Sequence, residues 1–157
     1  MKKYEKSSKI KALSTSGVKQ VKLNKYKKAS YNILYMMIND YECVKYYEKY
    51  LNYLPNKEER YLANEIVYTY KKFGELVLAD FITSLNDKED LLKLMKEILR
   101  SVSLESNFDA FKDYVNVIRE YNRDLEIKRL RRLISEESNL TIKAEYLEKI
   151  RLLKIGE

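Results

Sequence analysis

The C-terminal third of this chain lacks almost all the residues that end helices. From Asn107 onward there is no proline, and the only glycine is Gly156. Apolar residues recur there at helical spacing, stop at the polar segment Ser135–Asn139 and then resume; they are Phe108, Phe111, Val115, Ile118, Leu125, Leu130, Ile134, Leu140, Leu147 and Ile150. This pattern predicts one long helix followed by a second helix that folds back on it as a helical hairpin.

The length of the first of these helices constrains the shape of the chain. A helix of roughly 29 residues is about 43 Å long at 1.5 Å per residue, whereas the roughly 80 residues before it should form a globule about 30 Å across. The helix therefore cannot lie wholly on the globule, and we expect it to project and carry the hairpin outward. The polar stretch Arg119–Asp124 is the expected point of departure.

The segment before the long helix contains several shorter helical patterns and no sustained strand alternation. Predicted helices are Lys27–Asn39, Tyr41–Leu54, a helix from Asn56 to Gly74, Leu76–Leu85, and a helix after Asn86. Expected caps are Asn56 with Glu59, Asn86 with Glu89, and Ser106 with Asp109, each at capping-box spacing, and Gly74 as a left-handed C-cap. The predicted fold is all-α: a compact multi-helix bundle, a long connecting helix and a C-terminal hairpin. We expect a flexible basic connector at 1–26, the bundle at 27–120 and the hairpin at 121–157.

The formal net charge of +7 comes from one end of the chain. Residues 1–28 hold ten lysines and one glutamate, a formal charge of +9, and the other residues hold 21 basic and 23 acidic side chains, a formal charge of −2. A basic tail of this kind could contact the phosphates of nucleic acid without reading sequence. It could equally be a solvated linker from an upstream domain, and we favour the linker.

The composition argues against catalysis. The chain has no histidine, the commonest general base and metal ligand, and its three glycines are too scattered for a phosphate-binding loop. Its carboxylate pairs fall at helix starts and in loops, where they complement helix dipoles. Cys43 is the single cysteine, and we interpret it as a small buried side chain. We therefore expect a non-enzymatic, cytoplasmic chain with no metal, no cofactor and no membrane span.

Both predicted hairpin helices carry more apolar surface than one helix–helix seam uses. Apolar residues cover roughly 200° of each helix, whereas a seam uses roughly 100°. We expect the surplus face to bind a partner protein, and the predicted contact residues are Leu140, Lys143, Tyr146, Leu147, Ile150, Leu153 and Lys154. Lys128, Arg131 and Arg132 share another helix face. They form either a solvated face or a second contact with an acidic surface of the partner.

Several segments resemble the C-terminal helicase-binding domain of bacterial (DnaG-type) DNA primases. Ala29–Met37 looks like the opening helix of that domain, although Ser30-Tyr31 stands where the family usually has Glu-Arg. Ile66–Gly74, followed by Phe81–Leu85, is similar to the family's middle helices around their glycine turn. Phe111–Glu120 resembles the start of the long connecting helix, and the likeness extends over about residues 27–155.

The resemblance implies a domain that docks on the N-terminal domain of the hexameric (DnaB-type) replicative DNA helicase. It implies recruitment of primase to the replication fork, modulation of helicase and priming activity, and helicase contact through the region Leu140–Ile155. Residues 1–28 would connect to the zinc-binding and polymerising domains of primase, and the chain alone would be a monomer. Two alternatives stay open: the N-terminal bundle of a replicative helicase or loader, and a basic helical protein that binds nucleic acid through residues 1–28.

Overall fold

The protein is all-α, as the sequence predicts. A computed structural model describes residues 24–102 and 107–156, and these contain no strand. The helices are α1 (Lys25–Asn39), α2 (Tyr41–Tyr50), α3 (Lys57–Phe73), α4 (Leu78–Ser84), α5 (Glu89–Ser101), α6 (Phe108–Glu136) and α7 (Leu140–Ile155). Most of the predicted basic connector, residues 1–23, lies outside the described residues.

The chain divides into two compact units, Met1–Val117 and Ile118–Glu157. In the first unit, the bundle, α1 packs against α2, α3 and α5, and α3 also packs against α5. Fully buried residues from every one of these helices form its core, among them Ile33, Leu34, Met37, Tyr47, Leu62, Ile66, Met95 and Ile98. The Tyr70 hydroxyl donates a 2.6 Å hydrogen bond to the carbonyl oxygen of Ile38, which ties α3 to the last turn of α1.

The predicted N-cap Asn56 and C-cap Gly74 of α3 are confirmed, whereas the side chain of Glu59, expected to complete a capping box, is hydrogen-bonded to Ser30. The Asn56 carboxamide oxygen accepts a hydrogen bond of 3.0 Å from the backbone N–H of Glu59, which satisfies one of the free donors of the first turn. At the other end Gly74 adopts φ +79°, and its N–H bonds to the carbonyl oxygen of Tyr70. A side chain is strained in this left-handed conformation, so glycine is the residue that ends the helix cleanly.

The prediction for the end of α2 was wrong. The helix ends at Tyr50 and does not continue to Leu54. Asn52 has φ +56°, a left-handed conformation that asparagine tolerates better than most residues and that no right-handed helix contains. Leu54 instead lies beyond the helix and is fully buried.

Two predicted caps also need correction. Helix α5 begins at Glu89 after Lys88, with no side-chain cap, so Asn86 is not its N-cap. Ser106 lies outside the described residues, and the first turn of α6 is capped by Asn107, whose carboxamide oxygen accepts the N–H of Ala110 at 2.8 Å. Helix α6 has the predicted 29 residues. Its projection from the bundle stays a prediction.

Among the described residues of the bundle, Glu59 is the buried carboxylate; it is only 3% exposed and lies in the first turn of α3. Burial raises the pKa of Glu59 above its ordinary value of 4.5, and Lys27 and the hydroxyl of Ser30 offset only part of that effect. The raised pKa means that the folded protein holds this proton more tightly than the unfolded chain. The free energy of unfolding should therefore fall as pH rises above about 4.5, and the full penalty applies above the folded pKa.

We expect Glu59→Gln to remove this pH dependence, because the amide keeps the shape of the side chain and carries no charge to bury. The variant should match the wild type near pH 4 and gain stability relative to it as the pH rises to 8. Melting temperatures followed by far-ultraviolet circular dichroism over this range would measure the difference. Glu75→Gln, at an exposed position, keeps the buried carboxyl and should follow the wild-type profile. A constant offset between Glu59→Gln and the wild type would contradict the prediction.

Candidate protein-docking site

The second unit, Ile118–Glu157, is the C-terminal hairpin, made of the second part of α6 and all of α7. Its buried core is small, consisting of Ile127, Leu130 and Ile150. Partly buried apolar side chains pack against these three and extend the seam between the helices; they are Leu133, Ile134, Tyr146 and Leu153. The predicted hairpin therefore has one apolar seam, and that seam uses only part of its apolar surface.

A short polar turn connects the two hairpin helices. Helix α6 reaches Glu136, so the turn is shorter than the predicted Ser135–Asn139. The Asn139 carboxamide oxygen caps α7 by accepting the N–H groups of Thr141 at 2.9 Å and Ile142 at 3.2 Å. The Glu137 carboxylate in turn accepts the N–H of Asn139 at 3.0 Å. These bonds define where α7 starts and hence which side chains face α6.

Three of the predicted contact residues lie in the seam, which corrects the sequence-based placement. Ile150 is 7% exposed, and Tyr146 and Leu153 are partly buried against the same cluster. Residues 146, 150 and 153 follow the i, i+4, i+7 spacing of one helix face, and that face is turned toward α6. Ile150 is therefore a core residue of the hairpin and not part of its outer surface, and Tyr146 and Leu153 pack beside it with part of each side chain exposed.

The outer side of α7 carries the rest of the predicted apolar contacts. Leu140 is 79% exposed and Leu147 is 56% exposed, and Lys154 is also exposed. These three residues are seven apart, about two turns, so they form one line along the helix. We call Leu140, Leu147 and Lys154 the outer line. Lys143 is half-buried.

Side chains of both hairpin helices form a groove beside the seam. Its lining residues are Arg123, Asp124, Ile127, Lys128, Arg131 and Lys154, and its volume is about 480 Å³. We call this set the basic groove. The structure brings the predicted Lys128 and Arg131 together with Lys154, whereas Arg132 is exposed and does not line the groove.

Sequence reasoning missed Arg123 and Asp124 because they belong to the polar stretch that we interpreted as a point of departure. A signal for Asp124 was nevertheless present, since Asp124, Lys128 and Arg131 follow i, i+4, i+7 spacing. Ile155, the last residue of the contact region Leu140–Ile155 that the resemblance implies, is exposed at the end of α7.

Two arginines of the hairpin outside the groove are paired with glutamates on their own helices. Arg129 bonds to the carboxylate of Glu126, and Arg151 to that of Glu148, each with both guanidinium contacts at 3.0 Å or less. These arginines hold the pKa values of Glu126 and Glu148 below their ordinary values. Among the described residues, the four bases of the basic groove make no such ion pair.

The described residues offer little for other kinds of site. No three carboxylate or thiol groups among them come together in a way that could hold a metal ion. None of the described helices is both long enough and apolar enough to cross a membrane. Cys43 is buried, and burial raises the pKa of its thiol to about 12, so it is a poor nucleophile.

Comparison of the chain with models of protein families, with curated proteins and with solved structures finds no match.

Proposed function

We propose that this chain is a non-catalytic protein-interaction domain of the bacterial primase type that acts in the cytoplasm. In this role its C-terminal hairpin docks on the N-terminal domain of the replicative helicase. Docking recruits primase to the replication fork and modulates helicase and priming activity. The observation that carries the proposal is the exposure of Leu140 and Leu147 on the outer line of α7.

Two large apolar side chains in line on a helix that already has a buried face are a typical docking surface. The seam with α6 occupies a different face of α7, that of Tyr146, Ile150 and Leu153. Covering Leu140 and Leu147 would remove their apolar area from water, at about 25 cal/mol per Å². Contiguous exposed apolar surface commonly marks an interaction site, and the proposal takes Leu140 and Leu147 as the exposed part of such a surface.

The order of the helices also supports the primase-type interpretation. The segment Ala29–Met37, which resembles the family's opening helix, lies in α1, at the centre of the bundle. Gly74 ends α3 in the left-handed conformation that a glycine turn requires. A 29-residue helix then leads into a terminal hairpin, in the order that the resemblance implies.

The proposal predicts that Leu140→Asp/Leu147→Asp abolishes capture of the helicase. The test uses the full chain immobilised on a biosensor, with the N-terminal domain of the replicative helicase from the same organism in solution. Two aspartates on the outer line should weaken binding at least about a hundredfold, since each places a charge in an apolar contact worth one to two powers of ten.

Leu152→Asp is the matched control, because Leu152 is an exposed leucine of the same helix more than 100° around α7 from the outer line. It should bind within about threefold of the wild type, and equal helical circular dichroism would show that all variants are folded. Unchanged capture by the double variant would contradict the proposal. The proposal would also be contradicted if deletion of residues 1–25 abolished binding while the double variant still bound.

A further inference from the structure

The basic groove of the hairpin has an excess of positive charge. Among the residues that the structure describes, four of the six that line the groove are bases, Asp124 is the single acid, and Ile127 forms an apolar part of the wall. Nearby arginines on the same helices each have a carboxylate within 2.6 Å, whereas the bases of the groove have none among the described residues. Like charges gathered around one groove repel each other, and a negatively charged ligand would relieve that repulsion.

The α6 side and the α7 side of the groove carry different kinds of side chain. On α6 the wall is formed by Asp124, Lys128 and Arg131 at i, i+4, i+7 spacing. On α7 it is formed by Lys154, which is the last residue of the outer line. Because the outer line continues through Leu147 and Leu140, the side of the hairpin that carries the groove shows a charged row of two bases and one acid next to a mainly apolar row.

A helix is the ligand shape that matches two such rows. The groove between two antiparallel helices is where the third helix of a three-helix bundle packs, at an axis separation of about 8–10 Å. A docked helix presents its apolar side chains at i, i+3, i+4 and i+7. Those side chains would meet the leucines of the outer line while residues on one flank of the same helix reach the groove.

We infer that the hairpin binds an acidic amphipathic helix supplied by its protein partner. The apolar face of that helix packs on Leu140 and Leu147, and its carboxylates pair with Lys128, Arg131 and Lys154. This inference rests on the proposed docking function and adds the chemistry of the partner segment. The phosphates of a nucleic acid would also attract the bases, but they would leave the exposed leucines without an apolar contact.

The experiment measures fluorescence anisotropy of labelled synthetic peptides with the full chain. The probe is a helix of about three heptads with leucine at positions a and d, glutamate at e and g, and alanine elsewhere. Its two controls are the same peptide with lysine in place of glutamate, and a shuffled acidic peptide of equal composition without an apolar face. The acidic amphipathic peptide should bind at least about tenfold more tightly than either control, a difference of about 1.4 kcal/mol.

Variants then locate the binding site. Lys128→Glu/Arg131→Glu should weaken binding of the acidic amphipathic peptide at least about tenfold. Raising the salt concentration from about 50 to about 300 mM should weaken binding of the peptide to the wild-type protein, because salt screens the charges. Lys93→Glu/Lys96→Glu, an equal charge reversal at exposed lysines of the bundle, should leave binding within about twofold. Equal binding of the shuffled acidic peptide would overturn the inference, as would full binding by Lys128→Glu/Arg131→Glu.

Three further outcomes test the ligand class and separate this inference from the function on which it rests. Tighter binding of a single-stranded dT20 oligonucleotide than of the acidic peptide, lost in Lys128→Glu/Arg131→Glu, would assign the groove to nucleic acid and overturn the inference. If the peptide fails to bind but Leu140→Asp/Leu147→Asp still abolishes helicase capture, the acidic helix is wrong and the proposed function stands. If the peptide binds as expected while the helicase does not, the identity of the partner is wrong and the groove chemistry stands.

Discussion

Leu130→Ala should unfold the hairpin and leave the bundle folded. Leu130 is 1% exposed and forms the buried core of the described hairpin together with Ile127 and Ile150, each 7% exposed. A buried leucine replaced by alanine costs about 2–5 kcal/mol, and a helical unit of about 40 residues has little stability in reserve. The bundle has its own larger core and should keep its structure.

Hydrogen exchange followed by mass spectrometry measures this effect segment by segment. Peptides from α7 should lose protection in Leu130→Ala by a factor of about a hundred or more, and peptides from α1 and α3 should exchange as in the wild type. Leu147→Ala is the control, because the same deletion at an exposed site leaves no cavity and should change protection little. Protection of α7 equal to that of the wild type would show that the three-residue core does not determine the stability of the hairpin.

Phe111→Ala should destabilise the bundle by about 3–5 kcal/mol, the cost of removing a buried aromatic side chain and leaving a cavity. The Phe111 side chain is fully buried in the first turns of α6. Its ring meets that of Tyr46 edge to face at 6.0 Å between centroids, and it stacks with Phe108 at 6.2 Å. The substitution therefore removes aromatic contacts in addition to buried area.

Urea denaturation followed by circular dichroism would give this difference in the free energy of unfolding. Phe108→Ala is the matched control, because Phe108 lies three residues earlier in the same aromatic cluster and is 37% exposed. We expect it to cost about 1 kcal/mol, since part of its area stays in water in the folded state. Equal losses for the two variants would mean that burial of Phe111 does not dominate the cluster.

Local signals predicted the parts of the fold that depend on neighbouring residues. The cap of α3 at Asn56, its end at Gly74 and the length of α6 are all set by residues within one or two turns. The wrong predictions of helix ends arose where two nearby residues could each end or cap the helix. Asn52 ends α2 before the expected proline signal, and Asn107 takes the capping role expected of its neighbour Ser106.

Periodicity could identify the apolar residues of α7 but not the direction that each one faces. Apolar side chains surround most of this helix, so the sequence did not distinguish the face of Ile150, which packs in the seam, from the face of Leu147, which is exposed. Which of the two faces becomes buried depends on how α7 packs against α6, and that packing is visible only in the structure. The basic groove was also beyond the sequence, because Lys154 and Arg131 are brought together only when α7 folds back along α6.

Because the buried core of the hairpin is small, binding of a partner should have a large effect on the stability of the hairpin. A ligand that binds only the folded hairpin adds RT ln(1 + [L]/Kd) to its stability, about 2.7 kcal/mol at a hundred times Kd. That gain is similar to the whole cost of losing one of its three buried side chains. A bound partner would therefore stabilise the hairpin by about as much as one of its own core residues. The rate of hydrogen exchange in α7 would then measure the fraction of the protein that is bound.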